Sequence, residues 1–215
     1  MTKTIHQVHD KLFKQSMADI RVAREFFEKH LPPEILAIVD LDTLSLQKNS
    51  FIDEAYQETE ADMVYTVKMG DKLAYFYLLC ENQSKVDDTI AFRLLVYTVR
   101  IIEMHVKQYP NSPLPIVYSM VIYTGKKPWN APTDVFKLFG AQEDLARQIL
   151  LQPYQLIDIQ RMSDDELSQR RWSGLVEFVL KHRHVRNFAQ FLETLLPWLY
   201  EVEIHQGANF ATICY

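Results

Sequence analysis

From about Asp10 to His30, Ile20, Ala23, Phe27 and Leu31 fall on one helical face between polar positions, which predicts an amphipathic helix. Pro32 and Pro33 end it, because neither ring tolerates a helix interior. The period then shortens. Leu44 and Leu46 alternate with Thr43, Ser45 and Gln47, the pattern of a short strand with one wet face. DMVYTVKM, Asp62 to Met69, reads as a second strand. Gly70 and Asp71 give a two-residue connection into the apolar run that opens YFYLLCENQSKVDD at Tyr75, so the two strands are predicted to form an antiparallel hairpin.

In DDTIAFRLLVYTVRIIEMHVKQY, Asp87 or Asp88 is placed to cap a helix whose apolar residues cover most of its circumference, a pattern that predicts burial against the sheet. Pro113 and Pro115 then bound IVYSMVIYTG, a strand expected at the other side of the sheet and ending at Gly125. The predicted order is helix, strand, strand, strand, helix, strand. Beyond it, Trp129 to Phe139 reads as loop-rich and YQLIDIQ as a candidate strand. Ser163, Asp164, Asp165 and Glu166 have the spacing of a capping box opening a helix, and the C-terminal third reads as mostly helical.

Length and composition narrow the class. A chain of 215 residues, 48% hydrophobic and free of repeats or Gly/Ser-rich linkers, suits one domain over residues 1–215. The formal charge of -5 argues against a broadly basic surface for bulk nucleic-acid binding, so any polyanion site must be built from local clusters. Two distant cysteines, Cys80 and Cys214, make neither a disulfide framework nor a zinc-ligand spacing and suit a reducing, cytoplasmic setting. No apolar run reaches the roughly 20 residues of a membrane helix, and the charged N-terminus lacks a hydrophobic export segment.

The polar end of the Tyr75 strand carries the chemistry. Side chains two apart on a strand share a face, at about 3.3 Å rise per residue, so Glu81, Gln83 and Lys85 form one row. Asp62 begins the partner strand at the end of the hairpin where Glu81 emerges, so two carboxylates are expected to face each other. Opposed like charges beside a core are destabilising, and a bound divalent cation resolves the conflict. Two carboxylates with waters suit Mg2+, with Mn2+ as a substitute, better than zinc. Such a cation polarises a phosphodiester and lowers the pKa of an attacking water, which points to phosphodiester hydrolysis. Gln83 and Lys85 are the donors available to orient that water or to neutralise developing charge.

HDKLFKQ at His9 to Gln15, EKHLPPEI, LSLQKNSFIDEAYQETEADMVYTVK, YLLCENQSKVDDTIAFRLLVY and LPIVYSMVIYTGK together resemble the Rpn family. Its members are the recombination-promoting nucleases, or YhgA-like transposases, of the PD-(D/E)XK nuclease superfamily. The resemblance runs from about residue 6 to about residue 170 and is most specific over Asp62 and Glu81 to Lys85, with the Phe92-Arg93-Leu94-Leu95 helix after it. It implies an α/β fold with a restriction-endonuclease-like core, α-β-β-β-α-β with a mixed sheet flanked by helices, over residues 6–125. Residues 126–215 then form a mostly helical extension of the same domain. It also implies that Asp62 and Glu81 are metal ligands and that Gln83 occupies the position of the wider superfamily's lysine, where glutamine is usual in this family. Lys85 matches the family's Ser-Lys. Asn82 stands where histidine is common and Ala61 where serine is common, and neither change removes a ligand. Members commonly run longer than this chain.

The remaining candidates have plainer readings beside the functional ones. Glu58 and Glu60 alternate with Asp62, but an exposed acidic stretch explains them equally well. His9 and Asp10 match the family pattern, while a helix N-terminus favours aspartate on capping grounds alone. Arg93 is placed to reach a phosphate or Glu81, or else snorkels to the surface. KHRHVR, Lys181 to Arg186, is the densest basic cluster, and its position late in a helix favours a structural role; its histidines do not converge as zinc ligands. Trp129 and Trp198 read as packing residues rather than base-stacking platforms.

The expected activity is therefore that of a magnesium-dependent DNA endonuclease linked to DNA recombination or mobile elements. The contrasting class is a DNA-binding or protein-interaction module that retains the fold without turnover, and a third is a mobile-element or toxin-like factor restrained by a partner. DNA is the expected partner, cutting of both strands suits a homodimer, and the sequence points to no protein partner.

Overall fold

The computed structural model describes residues 11–47, 63–81, 87–170, 172–184 and 188–206. They fall in two compact units, Met1–Leu151 and Gln152–Tyr215.

The first unit contains a mixed four-stranded sheet of the α/β class. A helical stretch over residues 11–18 precedes helix α1, Ile20–His30, and a short helix α2, Pro33–Leu36. The strands are β1, Val39–Leu46; β2, Met63–Met69; β3, Lys72–Glu81; and β4, Val117–Tyr123, in sheet order β1-β2-β3-β4. The first two pairings are antiparallel. β3 and β4 run parallel, joined by helix α3, Ile90–Gln108. The helix and strand order read from the periodicity is thus the observed one, and the sheet with its flanking helices suits a nuclease-like core.

The hairpin forms as the Gly70-Asp71 pair predicts, with Met69 opposite Lys72. Gly70 has φ 61° and no described non-glycine residue has positive φ, which is the pattern of a type II′ turn. Period-two alternation then sorts β3 onto two cores. Ala74, Phe76 and Leu78 join Phe27 of α1 and Tyr65 of β2 in one buried cluster. Tyr75, Tyr77 and Leu79 join Val64 and Ile90, Tyr97 and Ile101 of α3 in the other. Both faces of β3 are covered, which is why its sequence is apolar without interruption.

Three details depart from the periodicity. The N-terminal helix is interrupted at Asp19, whose carboxylate accepts the Arg21 N–H at 3.0 Å and so starts a new helix. Ala23, Phe27 and Leu31 are buried, but Ile20 is exposed beside that break. α3 begins after Thr89 and not directly on Asp87 or Asp88; Asp87 instead accepts the Thr89 N–H at 2.8 Å. The sheet covers a single face of α3, so Phe92, Leu95, Val99 and Val106 are exposed despite the nearly continuous apolar pattern. After Trp129, 3-10 turns over Val135–Gln142 lead at Gly140, φ 58°, into helix α4, Glu143–Leu151.

The second unit is helical: α5, Asp164–Ser168; α6, Trp172–Lys181; and α7, Phe188–Gln206. Ser163 caps α5 as its spacing predicts, its hydroxyl accepting the Glu166 N–H at 3.1 Å. The expected strand in YQLIDIQ does not form. No described strand pairs with it, and Asp158 accepts the Gln160 N–H to open a 3-10 turn, Ile159–Arg161. Apolar alternation without a partner edge leaves Tyr154, Leu156 and Ile157 exposed. Leu167, Leu175, Phe178 and Leu195 form this unit's own core, with Trp198 edge-on to Phe178 at 5.2 Å. Among the described residues, no helix is long and apolar enough to cross a membrane.

Candidate active site

Because β3 and β4 run parallel, their carboxyl ends open at one end of the sheet, the place where open α/β sheets collect ligands. Glu81 is the last residue of β3 and pairs in register with Tyr123, the last residue of β4. In-register alternation gives β3 one face of Tyr75, Tyr77 and Leu79, which α3 covers. Ile90 at the start of α3 belongs to the same cluster as Leu79, so the helix begins over this end of β3.

Asp87 organises the approach to α3. Its carboxylate accepts the Thr89 N–H and hydroxyl, at 2.8 and 2.7 Å, and an Arg93 guanidinium N–H at 2.9 Å. Burial pushes the carboxyl up, but the hydrogen bonds from Thr89 and Arg93 outweigh it and hold the group below the usual carboxylate range. Arg93 therefore neither snorkels freely nor needs a phosphate to hold it near the strand end: Asp87 fixes it there.

Tyr123 lies in the same region and was not marked by its sequence context. Its ring stands edge-on to Trp129, with centroids 5.1 Å apart, and Trp129 donates its indole N–H to the Ala131 carbonyl at 2.8 Å. The phenol leans over Gly125, where an added Cβ would meet the Tyr123 hydroxyl at 2.1 Å. That hydroxyl is buried and has no hydrogen-bond partner among the described residues. A buried hydroxyl left in this state costs about 1–3 kcal/mol. The pattern IVYSMVIYTG shows that the strand ends in Tyr-Thr-Gly; only the fold shows that the hydroxyl lacks a partner.

Of the residues expected to act, Glu81 is described through its backbone, while Asp62, Gln83 and Lys85 lie outside the described residues, as do Glu58, Glu60, His9 and Asp10. Among the described residues, no group of three or more His, Cys, Asp or Glu side chains is placed to hold a metal ion. Two members of the basic cluster at the end of α6 turn inward: Lys181 bonds the Met162 carbonyl at 2.7 Å and Asp164 at 2.6 Å, and His182 reaches Asp164 at 3.1 Å, while Arg183 and His184 are exposed. These contacts tie Lys181 and His182 into the second unit and agree with a structural role for those two residues. Trp129 and Trp198 both pack into cores.

A family model described as "Putative transposase, YhgA-like" matches residues 7–208. The chain belongs to the YhgA-like transposase family. Within this family's reach, the chain is 34% identical to the recombination-promoting nuclease RpnC of Escherichia coli K12 over 90% of its own length and 64% of that protein's. It is 33% identical to the recombination-promoting nuclease RpnD of Escherichia coli O157:H7, over 89% of this chain and 74% of the relative. It is also 31% identical to RpnE of Escherichia coli K12, named an inactive recombination-promoting nuclease-like protein, over 91% of this chain and 65% of that one. The chain thus spans somewhat under two thirds of RpnC and RpnE. No solved structure matches the chain. Two of these three relatives carry nuclease in their names without qualification and one is named inactive, so the comparisons establish kinship to the recombination-promoting nucleases.

Proposed function

We propose that this YhgA-like chain is a Mg2+-dependent DNA endonuclease with a restriction-endonuclease-like, PD-(D/E)XK core, acting in the cytoplasm in DNA recombination or on mobile elements. The observation that carries the reading is the position of Glu81 at the carboxyl end of a strand buried on both faces, beside a parallel neighbour and under the start of α3. In this reading Asp62 and Glu81 hold the cation, with Mn2+ able to replace Mg2+. Met63 pairs with Leu78 and Val64 faces α3. Asp62, one residue before the start of β2, would in this reading meet Glu81 at the end of the hairpin, as the sequence spacing expects. Oxygen donors of this kind suit a hard divalent cation. When bound, the cation supplies polarisation of the phosphodiester and a lowered pKa for the attacking water. Gln83 positions that water through its amide, and Lys85 neutralises charge developing on the phosphate. Homodimerisation would bring two such sites to the two strands of a duplex.

Cleavage of supercoiled plasmid by wild type and Asp62→Ala, in Mg2+, Mn2+, Ca2+ or EDTA, tests the reading. Nicking or linearisation is expected from wild type alone, only with Mg2+ or Mn2+, with the circular dichroism of the two proteins unchanged. Equal background from both folded proteins under every ion would overturn it. The name of RpnE favours a second reading, a DNA-binding or protein-interaction module without turnover. In that case binding persists in EDTA and no ion restores cleavage.

A further inference from the structure

α3 buries Ile90, Ala91, Tyr97, Ile101 and His105 on its sheet side, and a helix so placed normally turns polar residues outward. Its opposite side is apolar instead. Phe92, Leu95, Val99 and Val106 recur there at helical spacing and are 41% to 54% exposed. Val96 and Ile102 border them, half-buried, and the stripe runs for about 21 Å at 1.5 Å per residue. The 3-10 turns over Val135–Gln142 pack against α3 and add the exposed Leu138 and Phe139. A whole aromatic side chain carries about 150–250 Å2, so Phe92 alone offers on the order of 100 Å2. With Leu95, Val99, Val106, Leu138 and Phe139 the apolar surface reaches on the order of 500 Å2, within the roughly 300–600 Å2 of the largest patch on a typical monomer, and such patches often mark interaction sites.

We propose that this side of α3 is a homodimer interface, in which the α3 helices of two copies pack antiparallel across a two-fold axis at Val99. The stripe is symmetric about that residue: Phe92 and Val106 each lie seven positions from it, and Val96 and Ile102 three. The axis therefore sets Phe92 of one copy against Val106 of the other and Val96 against Ile102, the self-complementarity that a two-fold contact requires. Leu95 meets the methylenes of Glu103. The exposed Glu103 carboxylate within the stripe also disfavours an anionic membrane or a nucleic-acid backbone as occupant. At about 500 Å2 per copy the contact falls below the roughly 800 Å2 per partner of a standard interface, so the dimer is a weak one with a Kd in the micromolar range. The proposal is independent of the metal site, because the nuclease reading asks nothing of the outer side of α3.

Sedimentation equilibrium of the full chain from about 1 to 200 µM, a range that brackets a micromolar Kd, tests the proposal on wild type, Val99→Arg and Val176→Arg. Val176 is an exposed valine of the second unit and serves as the matched control. Wild type should move with concentration from the 25.3 kDa chain towards twice that mass. Val99→Arg sets two guanidinium groups against each other at the axis and should raise the Kd at least about 100-fold. Its melting temperature in dilute solution should match wild type, since Val99 is half-exposed in the single chain. Val176→Arg should dimerise as wild type does. A residue on the axis also meets its own copy, so Val99→Cys in a Cys80→Ala, Cys214→Ala background should be joined into a covalent dimer by a short bis-maleimide. Val106→Cys, about 21 Å from its own copy, should crosslink only when mixed with Phe92→Cys. Wild type that stays at 25.3 kDa throughout, or a wild-type Kd in Val99→Arg, would overturn the proposal. A Val99→Arg chain that melts well below wild type in dilute solution would overturn it too, because the stripe would then be covered from within the same chain. Dimers that crosslink through Val106→Cys alone and not through Val99→Cys would likewise exclude the two-fold axis at Val99.

Discussion

Phe27→Ala tests whether α1 holds the sheet that presents the candidate site. Phe27 is 0% exposed, with its ring 5.3 Å from that of Tyr65 and 4.7 Å from that of Phe76. Truncation removes a full aromatic side chain from between two strands and leaves a cavity that neither buried ring can fill without leaving its rotamer, so a loss of about 3–5 kcal/mol is expected. A domain of this size has about 5–15 kcal/mol in total. The melting temperature of the first unit should fall by roughly 6–20 °C. Trp129 is the single tryptophan of that unit, so in a Trp172→Phe, Trp198→Phe background its fluorescence reports the first unit alone. Phe27→Leu, which keeps most of the volume, should cost distinctly less. An alanine variant melting within about 2 °C of its background would refute the placement of α1 on this face.

Further consequences concern the turn, the core and the helix start. Tyr65→Phe removes a buried hydroxyl that donates to the Met17 carbonyl at 2.8 Å, and chemical denaturation should show a loss of about 1 kcal/mol; no loss would mean that the residue 11–18 helix is not tied to β2 through this bond. Gly70→Ala meets no neighbouring atom, yet φ 61° should cost it about 1–2 kcal/mol, and a neutral result in the same assay would contradict the turn type. Asp87 has a folded-state pKa below its unfolded value, so its contribution is present above about pH 4 and lost as pH falls through the folded value. The stability gap between wild type and Asp87→Asn, measured by urea unfolding, should therefore close towards pH 2, and a gap that widens on acidification would refute the assignment.

The local pattern determined those elements whose signal lies within a few residues. Gly70 specified the hairpin because a left-handed backbone suits glycine, and Ser163 specified the start of α5 because its hydroxyl reaches only its own first turn. The unbroken apolar run of β3 announced a strand covered on both sides, and the family's residues were legible in the spacing from Asp62 to Lys85. Partners distant in sequence decided the rest. YQLIDIQ has the alternation of a strand but no edge to pair with, and α3 has apolar residues around most of its circumference but a single sheet face to bury them. Ile20 keeps the helical period and is nonetheless exposed, because Asp19 captures the next turn. Tyr123 illustrates the distinction most fully. Its neighbour Glu81 is 42 positions away along the chain, and only the parallel register of β3 and β4 brings the two together. Whether a buried hydroxyl has a partner depends on every element around it, and no window of sequence contains that sum.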